Sequence, residues 1–100
     1  MNARPGMQDY YASLEALRLE IDAIDDELLD LLNCRARIVH RIYALKDGNG
    51  VPRLDRGRTA EMLLRLIAHN GGPLSSGEVR RLFEGVLAVF VQRSGRQRNA

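Results

Sequence analysis

Residues 14–46 read LEALRLEIDAIDDELLDLLNCRARIVHRIYALK. Leu14, Leu17, Ile21, Ile24, Leu28 and Leu31 step by three and four, the period of a helix with one apolar seam. Ile38, Ile42 and Leu45 continue the series. It runs unbroken only if position 35 belongs to it, and position 35 is Arg35. A guanidinium on an apolar seam is costly unless something anionic meets it. An internal carboxylate, a snorkelling side chain or a bound anion each satisfies that demand.

Working outward, the seam predicts a first helix from Tyr11 or Ser13 to Lys46, with Ser13 a candidate N-cap and Asp47-Gly48-Asn49-Gly50 the stop. Such a helix is about 50 Å long at about 1.5 Å per residue. A 100-residue globule has a radius of gyration of only about 13 Å. The rest of one chain cannot cover this helix, and 3-4 spacing is the pattern of a coiled-coil seam. A second copy is the simplest cover, so the expectation is an intertwined homodimer.

Beyond the Gly48–Leu54 loop, Asp55 can cap a second helix over Arg56 to His69. Its apolar positions are Ala60, Leu63, Leu64 and Ile67, with Met62 and Leu66 beside them. Asn70-Gly71-Gly72-Pro73 ends it, and Ser75-x-x-Glu78 is a capping-box pattern opening a third helix. Val79, Leu82, Phe83, Val86, Leu87 and Phe90 form that helix's apolar face. No strand pattern, repeat or low-complexity stretch interrupts the series. The expected fold is all-α, with one long and two shorter helices per chain. Residues 1–12 read as a flexible lead, 13–93 as the helical domain and 94–100 as a flexible basic tail.

Composition narrows the function. Apolar residues make up 45% of the chain, enough for one small domain. Fifteen Lys and Arg against thirteen Asp and Glu leave a charge of +2. Much of the excess sits at the ends, in Arg4, Arg93, Arg96 and Arg98. That is a basic tail rather than a basic face, so nucleic acid is not the expected partner. The lone Cys34 fits a reducing cytoplasm. No apolar run is long enough for a signal sequence or membrane span.

The cations form the informative constellation. Lys46 follows Arg35 by eleven residues, which leaves the two about 20° apart around an ideal helix and about 16 Å apart along it. Arg18 lies seventeen residues before Arg35, about 260° around; in an antiparallel dimer it reaches the partner's site. Arg58 falls in the first turn of the second helix, where a cation opposes the dipole unless it binds something. Arg37, Arg41, Arg53 and Arg56 read as solvated, His40 and His69 as helix-surface residues, and Asp25, Asp26 and Glu27 as a solvated acidic face. There is no metal-ligand spacing, phosphate loop or nucleophilic triad pattern. The chain offers cations that converge on a small, multiply charged anion.

These residues, in this order, resemble the all-helical chorismate mutase family. Leu14 to Leu32 is similar to the family's first-helix signature. Arg35 and Lys46 match its next functional positions, and Gly50-Val51-Pro52-Arg53-Leu54-Asp55-Arg56-Gly57-Arg58 matches the loop leading into its second helix. Through Asn70-Gly71-Gly72-Pro73 the chain looks most like the variety fused to, or partnered with, DAHP synthase, the first enzyme of the shikimate pathway.

The resemblance implies a helical dimer with two sites. It also implies a Claisen rearrangement of chorismate to prephenate in aromatic amino acid biosynthesis, with no cofactor and no covalent intermediate. Such a site holds a flexible dicarboxylate in its reactive conformer and stabilises charge growing on the ether oxygen. By position, Arg18 from the second subunit and Arg35 would hold carboxylates. Lys46 would donate to the ether oxygen, so Lys46 and Arg35 would carry the rate. Asp55 and Arg58 would frame the rest of the substrate.

Three positions depart from the family pattern. Thr59 stands where a glutamate contacts the substrate's ring hydroxyl. Phe90 stands in place of a polar residue, and Ser94 in place of a glutamine that is the second donor to the ether oxygen. Gln92 lies about 200° around the helix from Ser94 and cannot replace that glutamine without shifting the apolar face. Losing one such donor typically costs about 10²–10³ in rate. Three readings follow: a mutase of reduced rate, a mutase acting on 4-amino-4-deoxychorismate, or a regulatory or interaction domain partnering a shikimate-pathway enzyme.

Overall fold

The computed structural model describes residues 6–99, with side chains through residue 94. Among them all regular structure is helical: α1 spans Met7–Gly48, α2 Arg56–His69 and α3 Ser76–Asn99. The chain groups into two compact units, Met1–His40 and Arg41–Ala100, and the boundary falls within α1.

In the first unit, α1 begins earlier than its sequence suggests. Gly6 has φ +93°, and the Tyr10 N–H already donates to the Gly6 carbonyl at 2.9 Å. Asp9 in the first turn complements the helix dipole. Ser13 is therefore not a cap but an interior residue, and residues 7–12 are helix rather than flexible lead. Residues 1–5, Arg4 included, lie outside the described residues. No residue of α1 is buried. Leu17, Ile21, Ile24, Leu28, Leu31 and Ile38 are all exposed, Leu31 at 65%. The seam read from the sequence is thus present and uncovered in the single chain.

In the second unit, α1 closes with a Schellman arrangement. The Val51 N–H reaches back to the Lys46 carbonyl at 2.9 Å, and the Gly50 N–H to the Asp47 carbonyl at 3.3 Å. Gly50 sits at φ +66°, where a Cβ would be strained. Asp55 caps α2, its Oδ1 accepting from the Arg58 N–H at 2.9 Å. Asn70 ends α2, its N–H donating to the Leu66 and Ile67 carbonyls, while its side chain spans the turn to Leu74. The expected capping box opens α3: the Ser75 Oγ accepts from the Glu78 N–H at 3.1 Å, and Glu78 accepts from the Ser75 N–H at 2.9 Å.

α2 packs on α3. Met62 and Leu63 of α2 and Val79 and Phe90 of α3 are buried. Leu64 and Leu82, expected on the apolar faces, are exposed instead. Met62, Leu63, Leu66 and Ile67 share one stripe, and Leu64 falls about 100° beyond Leu63, past the edge that α3 covers. α3 also outruns its expected end. Nothing after Ser94 removes a backbone donor, since the stretch holds no proline. The backbone of 94–99 is therefore helical. The side chains of 95–99 and residue 100 lie outside the described residues.

Candidate active site

Lys46 is the single lysine of the chain; the other fourteen basic residues are arginines. That count is a sequence signal in its own right, because an ammonium is a compact point donor where a guanidinium is a planar fork. The structure puts Lys46 two residues before the end of α1, half-buried. Its Nζ donates to the backbone carbonyl of Arg53 at 3.0 Å.

Arg53, expected to be solvated, is the residue that sequence reasoning missed. Its side chain keeps only 14% of its exposure. Nε and Nη2 fork onto the two carboxylate oxygens of Asp47, and Nη1 donates to the Ser94 carbonyl at 3.0 Å. The guanidinium lies over the Tyr43 ring, 5.1 Å from its centroid. The hydrogen bond to Asp47 raises the Arg53 pKa above its ordinary value; desolvation opposes this, and the charge of Asp47 adds to it. Arg53 therefore joins three pieces of chain: the last turns of α1, the loop, and α3 at Ser94.

Through Arg53 the structure brings together two positions chosen from the sequence, Lys46 and Ser94. Ser94 enters this cluster by its carbonyl. Phe90, one turn earlier, is buried at 7% exposure and belongs to the core of this unit.

The start of α2 holds a second group. Asp55 Oδ1 is committed to the Arg58 N–H. The Thr59 hydroxyl donates to the Asp55 carbonyl at 3.2 Å, alongside the Thr59 N–H at 3.1 Å. Its oxygen keeps acceptor capacity. Arg58 is exposed, with a loose 3.4 Å contact to Glu61 on the next turn. A pair so open to water is worth little, so the guanidinium remains available to an anion. Arg18 and Arg35 lie on α1 in the first unit, Arg18 exposed and Arg35 half-buried. Among the described residues no group of three or more His, Cys, Asp or Glu forms a metal site, and no helix is long and apolar enough to cross a membrane.

Within the second unit, Lys46 held on a loop carbonyl and the open guanidinium of Arg58 are cations suited to holding an anion. Comparison with known proteins points the same way. The family described as chorismate mutase type II matches residues 17–94. A bifunctional chorismate mutase/prephenate dehydratase of Pseudomonas aeruginosa is 35% identical over 80 residues, covering 75% of this chain and 22% of that protein. One from Neisseria gonorrhoeae is 42% identical over 71 residues, covering 71% and 19%. The chain thus spans about a fifth of the length of these curated relatives. Two solved structures of chorismate mutase from Thermus thermophilus match nearly end to end. Form I has a TM-score of 0.77 at 37% identity, covering 78% of this chain and 98% of that one. Form II has a TM-score of 0.81 at 36% identity, covering 85% and 97%.

Proposed function

The chain belongs to the type II chorismate mutase family, and from that premise we propose that it isomerises chorismate to prephenate. The observation that carries the reading is the span of the family match, residues 17–94, which takes in every candidate cation from Arg18 to Arg58. The rearrangement is intramolecular: one C–O bond breaks as one C–C bond forms, and no proton or electron leaves the substrate. The protein's task is to select a conformer and to answer charge building on the ether oxygen.

In this reading Lys46 supplies that answer. Its Nζ uses one hydrogen on the Arg53 carbonyl and keeps two for substrate. Arg35 and Arg18 of a second copy hold the carboxylates, and Arg58 frames the remainder. Asp55 serves first as the α2 cap that aims Arg58. Thr59, Phe90 and Ser94 line the positions where the family pattern is broken.

The reading includes an intertwined homodimer. Leu17, Ile21, Ile24, Leu28 and Leu31 are exposed on α1 in the single chain, and a second copy of the same helix matches their 3-4 spacing. A cytoplasmic location fits the single Cys34. Partnership with DAHP synthase rests on the Asn70–Pro73 resemblance alone and is tested by co-purification of the two enzymes.

The deciding experiment is the loss of chorismate, followed by the ultraviolet absorbance of its diene, with product identified as prephenate. No loss above the spontaneous rate at high protein concentration would sink the reading. A second substrate is favoured by one observation. The Thr59 hydroxyl spends its proton on the Asp55 carbonyl, so it offers a ligand only an acceptor, which matches the protonated amino group of 4-amino-4-deoxychorismate, a donor without acceptor capacity, more fully than a ring hydroxyl that also accepts. Preference for chorismate in a side-by-side assay rules that substrate out.

A further inference from the structure

We propose that Arg53 is a positioning residue for Lys46, fixing through its own carbonyl the place from which the ammonium acts. The proposal rests on the reading above, in which Lys46 meets the substrate.

Lys46 sits on the last turns of a helix, where a four-carbon stem has wide rotamer freedom. Its Nζ is held by one acceptor from the protein, the Arg53 carbonyl. That carbonyl belongs to a loop, and a loop acceptor is only as well placed as the loop. Three contacts of the Arg53 side chain hold it: the fork onto Asp47, the stack on Tyr43 and the donation to Ser94. Two of these anchors, Tyr43 and Asp47, flank Lys46 on α1 itself. The side chain of Arg53 thus closes a ring with the helix turn that bears Lys46, and its carbonyl completes that ring at the ammonium. The third anchor lies forty-one residues on, so the placement of α3 also reaches Lys46 through Arg53. A displacement of about 1 Å in such a group can cost about 10²-fold in rate.

The single lysine makes the test clean. Lysine labelled with ¹³C and ¹⁵N reports Lys46 and nothing else in the chain. Two variants, Arg53→Ala and Asp47→Asn, are compared with wild type for kcat and KM on chorismate, for the Lys46 side-chain signals, and for helical content by circular dichroism. The expected result is a kcat lower by about tenfold to a hundredfold with KM within about threefold. Lys46 signals should move toward those of a free side chain in both variants, with helical content retained. The double variant should be no worse than the poorer single one, because both act on one ring.

Wild-type kcat in a folded Arg53→Ala protein overturns the inference, as do Lys46 signals unchanged from wild type. If Arg53→Ala fails to fold, Asp47→Asn carries the same expectations and the same refutation. Failure of the underlying reading looks different: wild type and Lys46→Ala are then equally inert toward chorismate. In that case the Lys46 signals alone decide whether Arg53 holds the ammonium.

Discussion

Lys46 donates from Nζ to the carbonyl of Arg53 at 3.0 Å, while its own carbonyl accepts from the N–H of Val51. One residue therefore ends the helix with its backbone and fastens the following loop with its side chain. The ammonium is thereby held by the protein's own backbone, which in the proposed function preorganises a donor.

Lys46→Ala should lower kcat/KM on chorismate by at least about 10²–10³, the typical cost of one oxyanion-type donor. Steady-state kinetics check this, with circular dichroism to show that α1 survives. Alanine is the best helix former, so the helix itself should not suffer.

Ile24→Lys combined with Leu31→Lys should convert a dimer to monomer or unfold the chain, as read by light scattering and thermal melting. Both residues are more than half exposed in the single chain. If the chain worked alone, such surface changes would shift stability by only about 0.5 kcal/mol each. Retained mass and melting temperature would therefore remove the dimer from the account.

Asp55→Ala should cost about 1 kcal/mol of stability through loss of the α2 cap, whereas Asp55→Asn should cost little, since asparagine caps well. Denaturant melts measure both. A fall in activity in Asp55→Asn without a fall in stability would show that the charge, and not only the cap, serves the substrate.

Glu78 gives a pH signature. The Ser75 N–H, with a smaller effect from the Ser75 hydroxyl, lowers the Glu78 pKa from its ordinary 4.5. Its contribution to stability is complete above pH 4.5 and is lost as pH falls through the lowered folded value. Glu78→Gln keeps the capping geometry and should flatten the acid limb of the stability profile, measured by melting across pH 3 to 7 (roughly the carboxylate range).

Thr59→Glu restores a carboxylate beside Arg58 and should raise turnover of chorismate, shifting the ratio of the rates on chorismate and the amino analogue from that of wild type. Paired assays on the two substrates check the direction. An unchanged ratio of the two rates would remove position 59 from specificity.

Local signals carried most of the fold. The capping box of α3, the Asp55 cap and the bounds of α2 were legible because each depends on residues within four positions. The ends of α1 and α3 were less so, since flanking residues that permit a helix look like those that merely tolerate disorder. Leu64 and Leu82 were assigned to faces from periodicity, which gives a helix its stripe but not the width its neighbour covers. Arg53 was illegible for a different reason. Its partners lie ten and six residues back and forty-one ahead, and no short motif spells that combination. The solitary lysine was open to simple counting.

Lys46–Asp47 is also the one peptide bond in the chain that an endoproteinase specific for lysine can cut. That bond runs between the residue that fastens the loop and the residue that clamps Arg53. A protease must draw several residues into an extended strand to cleave, so the knot has to come apart first. Digestion with such an enzyme would act as a stopwatch for the opening of this one corner, and cleavage would part most of α1 from α2 and α3 in a single stroke.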